Sequence, residues 1–255
     1  MGTHSNHQAL RLTGLAGFVG AIAWTLGDAL IVGEHAPASA YPLLMQDYAD
    51  RISFGGLANL LPASEPRLAA GALLADIAIP LYLLGSWHLY QGVRSAGRAT
   101  AWPILALLVC GNAWSPLGHA AFYFVGMLYK TLLAVPTSAH AALLELGEQF
   151  YRVLLMAWLL PVASLGLALL LLGIAIARGR TRYPRWAALL LNPVTFMAVG
   201  TGFPWLTPEP LRTWLGGAGF NISWLFAYGV SLAMLWHGGR RAIPEDVPRG
   251  QPVIL

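Results

Sequence analysis

Three ionisable residues, Asp28, Asp76 and His119, lie inside stretches of this chain that are otherwise almost free of charge. Charged groups surrounded by hydrocarbon are costly, so they face a bundle interior, find partners and mark functional sites. Two carboxylates and one imidazole are also the ingredients of acid–base chemistry. A carboxyl held in low dielectric stays protonated near neutrality, and a neighbouring base receives a proton. Asp28, Asp76 and His119 are therefore the candidate catalytic residues.

Spacing adds a lining to this trio. Asn112, Ser115, His119 and Tyr123 recur at intervals of three, four and four, which places them on one face of a helix. Trp24, Asp28 and His35 share a face in the same way, and Asp76 is expected to share one with Pro80, Leu83 and Trp87. Glu148 and Arg152 stand at i, i+4 and are expected to pair at the mouth of the site. Trp24, Trp87 and Trp114 lie deep within apolar runs, where aromatic faces suit an apolar or cationic species. The expected binding residues are thus Trp24, Trp87, Asn112, Trp114, Ser115, Tyr123, Glu148 and Arg152. A plainer reading competes, in which buried polar groups are interhelical glue worth about 0.6 kcal/mol each. It suits Asn112, Asn192 and Asn221 best. His88 and His237 read as interfacial, and His4 and His7 as part of a solvated tail.

A metal could be held by His119 with the two aspartates, but one histidine is thin for zinc and no His-Glu-x-x-His pattern is present. No metal site is assigned. No Gly-rich phosphate loop, haem-binding motif or nucleophile elbow is evident, so no cofactor is expected.

The elements that must position these groups follow from composition. Of the 255 residues 57% are hydrophobic and 10% charged, with a mean hydropathy of +0.60. Soluble domains carry roughly a quarter charged residues. The apolar residues come in blocks of the ~20 residues that a helix needs to cross hydrocarbon. The fold expected is all-α, a single polytopic membrane bundle of six transmembrane helices over residues 12–32, 68–90, 102–125, 150–177, 186–206 and 211–236. Residues 33–67 form the largest polar loop, in which Tyr41 to Ala49 is amphipathic enough to lie on the membrane or cap the bundle. Arg11 and Ala38-Ser39-Ala40 around the first apolar run mimic a cleavable signal, but the run is long for one and contains Asp28. A retained first helix is the favoured reading.

Ten of the fifteen Lys and Arg residues fall on the side holding the N-terminus, the run Arg178 to Arg185 among them. By the positive-inside bias both termini are cytoplasmic, in the inner (plasma) membrane. The net charge of +4 thus reflects basic loops, and no nucleic-acid partner is expected. The expected partners are membrane lipids and a hydrophobic small molecule. Cys110 is the only cysteine, so no intramolecular disulfide forms.

Several of these residues carry a family resemblance: Gly27-Asp28-Ala29-Leu30, Ile52-Ser53 with Gly55-Gly56, Ala78-Ile79-Pro80-Leu81-Tyr82, Trp87-His88-Leu89-Tyr90, and Gly118-His119-Ala120. Over about residues 14–125 the chain resembles a family of small bacterial polytopic membrane proteins catalogued as a domain of unknown function. The resemblance implies that Asp28, His88 and His119 belong to a recurring design. It supplies no chemistry.

Three functions compete on these observations. The first is an intramembrane enzyme, using the carboxylates and His119 on a lipidic or isoprenoid substrate. The second is a proton-coupled transporter or channel, against which stands the absence of acids in the half of each span nearest the arginine-rich loops. The third is an interaction or scaffold subunit docking through residues 33–67.

Overall fold

The computed structural model describes residues 2–237, with side chains from residue 7 onward. The side chain of His4 and the tail arginines Arg240, Arg241 and Arg249 lie outside the described residues. Among those described, the regular structure is entirely helical. The α-helices are α1 (Gly2–Val32), α2 (Leu57–Leu60), α3 (Glu65–Ile77), α4 (Ile79–Val93), α5 (Arg98–Ala134), α6 (His140–Ala177), α7 (Pro193–Gly202), α8 (Leu211–Gly216) and α9 (Gly219–Leu235). Four stretches are long and apolar enough to cross a membrane: His7–Val32, Glu65–Ala96, Arg98–Ala134 and Thr137–Ala177.

Helix α1 illustrates the solvent this surface is built for. Leu12, Leu15, Val19, Ile22 and Leu26 recur every three or four residues, and all are exposed. They form one apolar stripe, which suits lipid and not water. Its opposite face buries Gly17, Gly20, Trp24 and Gly27 against α3, α4 and α9. Helices α5 and α6 form the other broad contact of the bundle, bolted by Ser164 Oγ donating to the Leu107 carbonyl at 2.8 Å.

Several expected spans differ in detail. The second is two helices, because Pro80 has no N–H to continue the ladder and the chain turns at Ala78 between α3 and α4. The fifth, residues 186–206, is not one helix: a 3-10 turn (Arg185–Leu189) precedes α7, and another (Phe203–Leu206) follows it. Asn192 starts α7 as an N-cap, accepting from the backbone N–H groups of Val194 (2.8 Å) and Thr195 (3.1 Å) with Pro193 in the first turn. The sixth, residues 211–236, is divided into α8 and the 17-residue α9, and Gly217 between them sits against the side chain of Val32. At the other extreme, α5 and α6 run on beyond the expected 102–125 and 150–177.

The loop 33–67 caps one end of the bundle. Leu44, Phe54, Leu57, Leu60 and Leu61 pack on Val125, Leu128, Tyr129 and Leu132 of α5. Tyr48 donates to His140 Nδ1 at 3.1 Å, because His140 Nε2–H is engaged by the Val135 carbonyl at 3.0 Å. We call this the capped end; the loop containing Arg178 to Arg185 lies at the other.

Candidate functional site

A close three-helix crossing assembles the site. A Cβ on Gly27 of α1 would lie 2.9 Å from the Gly71 carbonyl oxygen, 3.0 Å from Ala75 Cβ on α3 and 3.4 Å from His119 Cε1 on α5. Only glycine lets α1 and α3 approach so closely, and the next residue, Asp28, is thereby brought to the imidazole. His119 Nε2 lies 3.2 Å from Asp28 Oδ1, and His119 Nδ1 lies 3.8 Å from Asp76 Oδ1. One ring thus stands between two carboxylates, each facing a different nitrogen. The first contact is a hydrogen bond. The second is too long for one, and leaves both His119 Nδ1 and Asp76 Oδ1 buried and unpartnered.

The other oxygen of Asp28 is also used. Asn221 Nδ2 donates to Asp28 Oδ2 at 2.7 Å, and Tyr82 donates its hydroxyl proton to Asn221 Oδ1 at 2.8 Å. The tyrosine orients the amide so that its NH2 faces the carboxylate. Trp24 packs on the imidazole with ring centroids 4.8 Å apart. Asp28 thus has one oxygen against an imidazole nitrogen and the other on an amide donor.

These groups line a cavity of about 600 Å³. Trp24, Asp28 and His35 come from α1 and its end, Asn112, Ser115 and His119 from α5, Pro161 and Leu165 from α6, and Phe220, Asn221 and Trp224 from α9. Pro116 and Pro161 lack N–H groups, so the carbonyls of Asn112 and Ala157, four residues earlier, lose their usual helical donor. Both residues line the cavity.

The structure brings together Asp28, Asp76, His119, Trp24, Asn112 and Ser115, with one difference of placement. Asp76 stands behind the imidazole and does not line the cavity. Ala78 separates Asp76, on α3, from Pro80, Leu83 and Trp87, on α4. Trp87 is 44% exposed and stacks on Tyr90 (4.9 Å between centroids), and Trp114 is 52% exposed; neither lines the cavity. Tyr123 packs edge-on against Phe124 outside it. Glu148 accepts from the Ser53 backbone N–H at 2.8 Å, tying the cap to α6, and the expected Glu148–Arg152 ion pair is not formed. Arg152 is exposed.

One histidine expectation also changes. His237 is exposed, but His88 is fully buried. Its Nδ1–H donates to the Leu10 carbonyl at 2.9 Å, so Nε2 accepts from Ser231 Oγ at 2.9 Å, and Ser231 in turn accepts from Tyr183 at 2.7 Å. This string joins α1, α4, α9 and the loop after α6 near the arginine-rich end. Between it and the Asp28 cluster, the Tyr228 hydroxyl stands beside Ser86 and Asn112, which are themselves joined by a 2.9 Å bond.

The described residues contain no group of three or more His, Cys, Asp or Glu side chains arranged to hold a metal ion. The geometry gives the reason. Asp28 and Asp76 approach opposite nitrogens of His119, so one ion cannot take one nitrogen and both carboxylates.

A family model matches residues 5–237, nearly the whole of the described chain. The chain belongs to a family of unknown function, DUF6796. The match extends through α9, so it takes in Asn221 as well as the aspartates and His119, and it covers far more than residues 14–125. No curated protein and no solved structure matches the chain.

Proposed function

We propose that this membrane protein is an intramembrane acid–base enzyme that moves a proton on a lipidic or isoprenoid substrate. One observation carries the reading: a single imidazole lies between two carboxylates at the wall of a mostly apolar cavity inside a helical bundle. The chain crosses the plasma membrane six times, the divided fifth and sixth segments completing the bundle, with both termini in the cytoplasm and the capped end outside. The arginines at 178, 180, 182 and 185 support that orientation.

The residues divide the work. Asp28, held between His119 and Asn221, removes a proton from a substrate carbon that lies against it in the cavity. His119, in the tautomer that carries its hydrogen on Nδ1, receives that proton at Nε2 while releasing the one on Nδ1 to Asp76, after a small rotation brings the latter pair into hydrogen-bond range. The reverse transfer returns a proton to another carbon. One C–H bond breaks and one forms, so the net reaction is an isomerisation that needs no further reagent. General acid–base groups of this kind contribute about 10²–10⁴-fold to rate.

The test is deuterium incorporation. Purified protein is reconstituted into vesicles of the expression host's total lipid extract in D2O, and the lipids are read by mass spectrometry. One lipid species should gain non-exchangeable deuterium with the wild type and not with Asp28→Asn. Equal labelling by both, or none by either, sinks the enzyme reading.

A second reading, proton-coupled transport, gains support from the polar groups that continue from Tyr82 past Tyr228 to His88, Ser231 and Tyr183. If it holds, the same vesicles collapse an imposed pH gradient faster than Asp28→Asn vesicles, as reported by a trapped pH-sensitive dye.

A further inference from the structure

We infer that the cavity takes an amphiphile with one anionic head, a phosphate or carboxylate held by Arg212, and an apolar chain running inward past Asp28 and His119. This deepens the reading just given and rests on the same cavity.

Arg212 lies in α8 and lines the cavity, as does Val32, the last residue of α1. Its guanidinium sits over the Trp205 ring, 5.6 Å from the centroid, and forms no ion pair among the described residues. Its Nε is buried and has no hydrogen-bond partner. A buried guanidinium donor without an acceptor is unfavourable, and the planar fork suits two oxygens of a phosphate or carboxylate. Asp28 lines the same cavity but does not pair with Arg212; its contacts are to His119 and Asn221. Among the described residues no carboxylate answers Arg212, and the inferred partner is an anionic ligand.

The remaining lining says what such a group is attached to. On α6 the cavity runs from Ala157 to Leu165, a rise of ~12 Å at 1.5 Å per residue. Trp158, Val162, Phe220 and Trp224 line this stretch with apolar surface. A free inorganic anion would leave most of that surface empty, and a neutral lipid would leave Arg212 unanswered. An amphiphile with its head at the capped end satisfies both, and its first few carbons then lie beside Asp28 and His119.

The test is a head-group series against the full-length protein in neutral-lipid nanodiscs, read by tryptophan fluorescence titration and thermal shift. The probes are dodecyl phosphate, dodecanoate, dodecanol, dodecyltrimethylammonium and inorganic phosphate. One or both anionic amphiphiles should bind at least tenfold tighter than dodecanol and the ammonium, and inorganic phosphate should produce no shift. Arg212→Gln should lose that preference with its melting temperature otherwise unchanged, and Arg212→Lys should keep part of it. Equal binding of dodecanol, saturable binding of inorganic phosphate alone, or an Arg212→Gln variant with undiminished preference would overturn the inference. Its failure is separable from that of the proposed reaction. Deuterium labelling of a neutral lipid would leave the reaction standing without this head group, and anionic selectivity without labelling would leave the binding site standing without the reaction.

Discussion

The hydroxyl of Tyr82 donates to Asn221 Oδ1 at 2.8 Å, and this bond decides which end of the amide faces Asp28. Tyr82→Phe removes the donor and leaves the amide oxygen in an apolar wall, at a cost of about 1–3 kcal/mol. The amide is then free to turn its oxygen toward the carboxylate. Deuterium labelling should fall about tenfold while the protein still elutes as folded material. Unchanged labelling would mean that the orientation of Asn221 is irrelevant to the chemistry.

Asp76 and Asp28 should separate in their phenotypes. Asp76→Asn keeps shape and polarity but removes the terminal proton acceptor, so labelling should be lost while dodecyl phosphate binding persists. If Asp76→Asn labels lipid at the wild-type rate and Asp76→Leu unfolds, Asp76 is interhelical glue only.

The crossing at Gly27 has no spare volume. Gly27→Val directs methyl groups at the Gly71 carbonyl and Ala75, which must move apart. Overpacking of this kind costs about 1–3 kcal/mol. The melting temperature in detergent should drop by several degrees, and labelling should be abolished even where folded protein is recovered, because α1 and α5 can no longer close on each other. A variant with wild-type labelling would show that the Asp28–His119 distance is not set at this crossing.

Tyr183 makes stability at the arginine-rich end sensitive to alkali. Burial pushes its phenol above the ordinary value of 10.0. The folded state therefore holds the proton more tightly than the unfolded one. The contribution is fully present below about pH 10 and is lost as pH rises from there toward the raised folded value, at up to about 1.4 kcal/mol per pH unit. Thermal melts between pH 8 and pH 11 should fall more steeply for the wild type than for Tyr183→Phe. The variant itself should be less stable at pH 8, having lost the bond to Ser231.

Orientation can be read with single cysteines after Cys110→Ser. Positions 97 and 179 are poor choices, since both glycines have positive φ. Arg98→Cys and Arg180→Cys should resist a membrane-impermeant maleimide on intact cells, whereas Asp50→Cys and Thr137→Cys should react. Reaction at position 180 from outside would invert the proposed topology.

Much of the site was legible because it rests on single helices. The spacing of Trp24, Asp28 and His35, and of Asn112, Ser115 and His119, needs only 100° per residue, and these two faces do line the cavity. The place of Asp76 behind the imidazole was not legible from its own helix, because it depends on how α3 packs against α5. Trp87 and Trp114 are exposed and lie outside the cavity lining, which sequence could not tell: a lipid-facing tryptophan and a cavity tryptophan look alike, since lipid tails are as apolar as a protein core. Asn221 and Arg212 follow breaks hidden inside an apolar run, and they meet the site only through contacts distant along the chain. The Pro208-Glu209-Pro210 cluster was a signal for the first of those breaks.

The two partners of Asp28 arrive late. His119 is 91 residues further along the chain and Asn221 is 193 residues further. At the ~5–20 residues per second of protein synthesis, the second partner emerges roughly 10–40 s after the carboxylate itself. For that interval α1 sits in the bilayer with a polar group whose final hydrogen bonds do not yet exist. Completing the site is thus coupled to completing the protein: a chain stalled before α9 carries an unsatisfied intramembrane aspartate, the kind of lesion by which unfinished membrane proteins are recognisable.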